Sequence, residues 1–98
     1  MINFKQEELI RELVKDIEKK FPEVEFINVT PSPENPNELW INMRVPGDED
    51  REFELVEFSS SKTMDILLEY GYHLLVMPIR NSESATFGPS IELSMEEN

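Results

Sequence analysis

A chain of 98 residues holds one domain at most, and without cysteine it has no disulfide framework, no thiolate nucleophile and no cysteine-based zinc site. Hydrophobic residues at 39% and aromatics at 9% exceed what a disordered chain of this charge carries, so a folded domain is expected. The formal net charge of −12 repels phosphate backbones and anionic headgroups, which argues against nucleic acid and membrane surfaces and favours a basic partner.

The first predicted element is an amphipathic helix from Phe4 to Lys20. Asn3 and Gln6 have capping-box spacing, Leu9, Ile10, Leu13, Val14 and Ile17 recur at helical intervals, and Phe21-Pro22 closes the segment. Its outer face alternates charge, with Glu12 before Lys15 and Asp16 before Lys19 and Lys20, the pattern of a solvated face. Residues 1–22 are charge-balanced, so the whole excess of acid lies in residues 23–98.

Val24 to Thr30 is rich in β-branched and aromatic residues and reads as a first strand. The three prolines of Pro31 to Asn37 make that stretch a loop, because proline removes donors and restricts its predecessor. From Leu39 to Val45, Leu39, Ile41, Met43 and Val45 alternate with Trp40, Asn42 and Arg44, the period of a strand with one buried face. The two strands are expected to form a hairpin.

After the Pro46-Gly47 turn, Asp48 supplies an N-cap and Glu49 and Asp50 an acidic first turn. On the helical wheel Phe53, Val56, Ser60, Met64 and Leu67 form one line, with Leu55, Ser59, Thr63, Ile66 and Tyr70 beside it. Such a wide apolar arc is expected to touch both a sheet and the first helix. Gly71 stands where a left-handed helix stop belongs, and Tyr72 to Ile79 reads as a third strand covered on both faces, parallel to the second if adjacent to it. Pro78 lacks a ladder donor, which ends regular pairing near Met77 or makes this part of the strand an edge. Ile91 and Leu93 alternate weakly and are compatible with a short fourth strand.

The expected fold is α+β, a two-layer sandwich in α-β-β-α-β order with a mixed three-stranded sheet and two helices. Residues 1–80 form the domain, and residues 81–98 a C-terminal extension that is partly flexible or packed on the sheet. With both helices on one face, Trp40 projects from the other, so Trp40, Asn42, Arg44, Tyr72, His73 and Phe87 make the candidate interaction surface. Either a protein partner or a second copy covers that face, or the tail does, through Phe87, Ile91 and Leu93.

Chemistry-bearing constellations are sparse. The acids Asp48, Glu49, Asp50 and Glu52 lack the ligand spacing of a calcium loop, His73 has no metal-sharing neighbour at fixed spacing, and Ser59 to Ser61 lie mid-helix rather than on an exposing turn. No phosphate loop is present, since Gly47, Gly71 and Gly88 stand alone. No catalytic residue, metal or cofactor is therefore assigned. With no basic leader and no apolar run of about 18 residues, a cytosolic location and no membrane association are expected.

The run Phe21-Pro22-Glu23-Val24 closing a helix, the strands Glu25 to Val29 and Glu38 to Met43, and Glu69-Tyr70-Gly71-Tyr72 after a helix resemble the layout of small antitoxin-type nucleotidyltransferase domains over residues 5–80. That family places Gly-Ser after the first strand and an Asp-x-Asp pair on the second, for triphosphate and magnesium. Here Pro31-Ser32 stands in the first place, Glu38 and Trp40 in the second, and His73 where a further carboxylate would fall. The resemblance implies ancestry without transferase chemistry. The function expected is a non-catalytic interaction or regulatory module; the alternative is a nucleotidyltransferase-like domain that retains nucleotide affinity.

Overall fold

Five elements follow one another through residues 3–80, the part of the chain that the computed structural model describes: α1 (Phe4–Lys20), β1 (Glu25–Pro31), β2 (Glu38–Val45), α2 (Glu49–Tyr70) and β3 (His73–Arg80). Local chemistry places the helix ends. Asn3 Oδ1 accepts from the Gln6 amide at 2.8 Å while Gln6 Oε1 accepts from the Asn3 amide at 3.0 Å, so two of the donors orphaned at the start of α1 are satisfied reciprocally. Asp48 Oδ1 accepts from the amides of Asp50 and Arg51 at the start of α2. Gly71 ends that helix at φ +79°, a left-handed conformation that a Cβ disfavours, and its N–H donates to the Leu67 carbonyl at 2.9 Å.

The sheet is mixed, in the order β1-β2-β3, with β1 antiparallel and β3 parallel to β2. Pairing of β3 continues through Met43↔Pro78 to Val45↔Arg80. Pro78 is tolerated there because, among the described strands, β3 stands at the end of the order and its backbone is laddered on the β2 side alone. The expectation that the third strand is covered on both faces holds only in part: Leu74 and Val76 are buried while His73 and Leu75 are exposed, and Met77, Pro78 and Ile79 are half-buried.

β1 is not the plain strand that its composition suggests. Its register shifts between Phe26↔Met43 and Asn28↔Asn42, leaving Ile27 as an extra residue. A one-residue insertion reverses the side-chain alternation, so Phe26 packs against the core with Met43 whereas Asn28 turns away with Asn42.

Both helices pack on one face of the sheet. Ile10, Leu13, Val14, Ile17 and Phe21 from the α1 side meet Val29, Ile41, Met43, Leu55, Leu74 and Val76 in one continuous core. From α2 the buried residues are Leu55, Ser59 and Thr63, with Phe58 and Ile66 partly buried against the core. The small side chains let α2 lie close to its neighbours, and their hydroxyls are satisfied within the helix, Ser59 donating to the Val56 carbonyl and Thr63 to that of Ser60.

The wide apolar arc is thus only half used. Leu55, Ser59, Thr63 and Ile66 face the protein, but Phe53, Val56, Ser60 and Met64, expected on the same arc, are exposed. A helix resting on a sheet beside one neighbour needs only one stripe, and α1 already covers the rest of the sheet face.

Candidate functional site

The row of side chains on the sheet face away from the helices follows from the register. Thr30, Trp40 and Leu75 stand abreast, then Asn28, Asn42 and Met77, then Glu25, Arg44 and Ile79. Trp40, Asn42 and Arg44 therefore do share the face on which alternation put them. Their environments differ. Trp40 is half-buried, and its Nε1 is buried without an acceptor among the described residues. Asn42 is fully buried: its Nδ2 donates to Asn28 Oδ1 at 2.8 Å and to Thr30 Oγ1 at 3.1 Å, so it ties β1 to β2. Arg44 is half-buried with its Nε 3.8 Å from Glu25 Oε1.

Tyr72 and His73 stand at the other end of the sheet. The Tyr72 ring stacks on Tyr70, with centroids 6.2 Å apart and planes 4° from parallel, and its hydroxyl accepts from Asn3 Nδ2 at 3.4 Å. Tyr72 thereby joins the end of α2 to the start of α1. His73 is exposed at the start of β3, paired in register with Glu38. Phe87, like Ile91 and Leu93, lies outside the described residues. The expected surface thus divides into a buried asparagine knot, an interhelix joint at Tyr72, and exposed groups at its margin.

Ser32 and the acids around the start of α2 have structural roles. Ser32 is buried and its Oγ accepts from the Glu34 amide at 3.3 Å, shaping the proline-rich loop. Asp48 caps α2, and Glu52 pairs with Arg80 at 3.3 Å. Among the described residues no group of three or more His, Cys, Asp or Glu side chains is arranged to hold a metal ion. No described helix is long and apolar enough to cross a membrane.

A second surface went unrecognised in the sequence. Phe53 is 64% exposed, Met64 52% and Leu68 78%, and with Val56 they run along the outer side of α2. A hollow of about 210 Å³ opens beside Phe53 and Val56, bounded by Glu49, Glu52 and Arg80. Its signal in the sequence is the width of the arc together with Leu68, which projects beyond its edge.

Charge is sorted across α2. Both of its cations point towards α1: Arg51 Nε lies 2.7 Å from Glu23 Oε2, its Nη1 2.8 Å from Glu54 Oε1, and its guanidinium 4.5 Å from the Phe21 ring centre, while Lys62 Nζ lies 3.5 Å from Asp16 Oδ2. The Arg51 hydrogen bond lowers the Glu23 carboxyl below its ordinary value, helped by a backbone hydrogen bond, and the Glu23 carboxylate in turn raises the Arg51 guanidinium. On the outer side, no Lys or Arg stands three or four residues from Phe53, Val56, Met64 or Leu68, whereas Glu49, Asp50, Glu57 and Asp65 do.

Compared with protein-family models, with curated proteins and with solved structures, the chain matches none. The surfaces just described are therefore the basis for a functional reading.

Proposed function

We propose that this chain is a protein-interaction module that works through the outer face of α2 and takes a basic protein as its partner. One observation carries the reading: four large apolar side chains, Phe53, Val56, Met64 and Leu68, stand exposed along one side of a capped helix. Single exposed apolar residues are ordinary on any surface, but four of them along one side of a helix, with acids beside them, are what binding faces present. The buried Asn42 on the sheet makes that face less available, since its amide nitrogen already donates to Asn28 and Thr30.

Site-specific photocrosslinking tests this. A photoreactive residue at position 53 or 64, introduced into the full chain in the cells it comes from, is expected to give a discrete crosslinked species that the same residue at Glu12 does not. Loss of that species on adding Leu68→Asp places the contact on the outer face. Identical crosslinking patterns at all three positions would refute the reading. Adding ATP with magnesium to the labelled chain is the parallel arm: amide shifts gathered at residues 31–38 would favour the nucleotidyltransferase-like alternative instead.

A further inference from the structure

We propose that the occupant of the α2 outer face is a cationic amphipathic helix from the partner, a deepening that rests on the interaction reading above. The spacing argues for a helix. Val56, Ser60, Met64 and Leu68 lie four residues apart and form one ridge, with Phe53 a turn before it. Ridges of this kind seat in the matching grooves of a second helix at a crossing of about −50°. Ser60, exposed between Val56 and Met64, leaves a notch in the ridge where a partner side chain can enter. At about 1.5 Å rise per residue, residues 53–68 extend roughly 22 Å, the length of a four-turn partner helix. A shallow, open depression of about 210 Å³ beside Phe53 and Val56 lies at one end of the ridge, where Arg80 is paired with Glu52.

The charges argue for a cationic one. Glu49, Asp50, Glu57 and Asp65 border the ridge, and the two cations of α2 are engaged on its far side by Glu23 and Asp16. A second copy of this chain would set that acidic border against itself, at a net charge of −12 on each side. An anionic membrane surface meets the same repulsion. A partner helix with Lys and Arg flanking an apolar seam meets attraction on the rim and burial at the centre.

The test uses the full isotope-labelled chain and a synthetic leucine/lysine peptide with leucine at helical spacing, beside a scrambled peptide of the same composition. The expected result is amide shifts at residues 53–68 and a dissociation constant at least about tenfold tighter than that of the scrambled peptide. Binding should weaken with added salt. Met64→Asp with Leu68→Asp should weaken it by about tenfold or more while the far-ultraviolet circular dichroism stays unchanged. Equal affinity for the scrambled peptide would mean charge attraction alone and overturn the proposal. So would shifts centred on the sheet or on the groove between the helices, a dimer in sedimentation that Leu68→Asp dissolves, or binding to phosphatidylglycerol vesicles in place of the peptide. If crosslinks at positions 53 and 64 persist while the leucine/lysine peptide fails to bind, the occupant is of another class and the interaction reading stands; if the crosslinks fail as well, both fall.

Discussion

Leu55 and Leu68 occupy the same helix in opposite circumstances, which makes them a controlled pair. Leu55 has no exposed surface and is the large side chain that α2 sends fully into the core; Leu68 is 78% exposed. Removing three carbons from Leu55 forfeits roughly 2.4 kcal/mol at about 0.8 kcal/mol per buried methylene, and the cavity left behind adds to it. We expect Leu55→Ala to cost about 3–4 kcal/mol in total. In a domain of this size each kcal/mol moves the melting temperature by about 4–8 °C, so the midpoint should fall by at least ~12 °C. Leu68→Ala should stay within about 0.5 kcal/mol of the parent, since it creates no cavity and both residues favour helix. Urea titration followed by Trp40 fluorescence and by circular dichroism measures both. Coincident midpoints for the two variants would refute the assignment of which stripe of α2 is buried, and with it the docking face.

Two further outcomes follow from individual contacts. Asn42→Ala removes the donor shared by Asn28 and Thr30 and should cost about 1–3 kcal/mol, with the largest chemical-shift changes at those two residues; unaltered stability would mean that the knot is not a structural tie. The Glu23 carboxyl is held below its ordinary value of 4.5 in the folded chain, so its contribution to stability is present above that pH and is lost as the pH falls through the lower, folded value. Arg51→Gln should therefore destabilise the chain at neutral pH and flatten this part of the acid limb. Parallel stability curves for parent and variant from pH 7 down to pH 3 would contradict the linkage.

What the sequence determined by itself is what depends on neighbours a few residues away. The capping box of Asn3 and Gln6, the Asp48 cap and the left-handed stop at Gly71 are local hydrogen-bonding solutions, so the starts of both helices and the end of α2 are legible from local sequence. The alternation of Leu39, Ile41, Met43 and Val45 likewise shows which face of β2 meets the helices, because a strand has only two faces. From these the α-β-β-α-β order and a mixed sheet followed.

Only the tertiary structure decided the rest. An apolar arc covering half of a helix has many angles at which it can be laid down. The position of α1 selected the stripe through Leu55, Ser59 and Thr63 and left Phe53, Val56, Met64 and Leu68 outside. The extra residue at Ile27 is invisible in composition, yet it turns Phe26 inwards and brings Asn28 to Asn42, converting a residue expected on an interaction surface into a buried tie. Arg51, near in sequence only to acids of its own helix, finds Glu23 across the fold and leaves the outer side of α2 without a cation of its own. Contacts of this kind depend on how elements dock, and docking is set by the summed burial of a whole core, which no local spacing encodes.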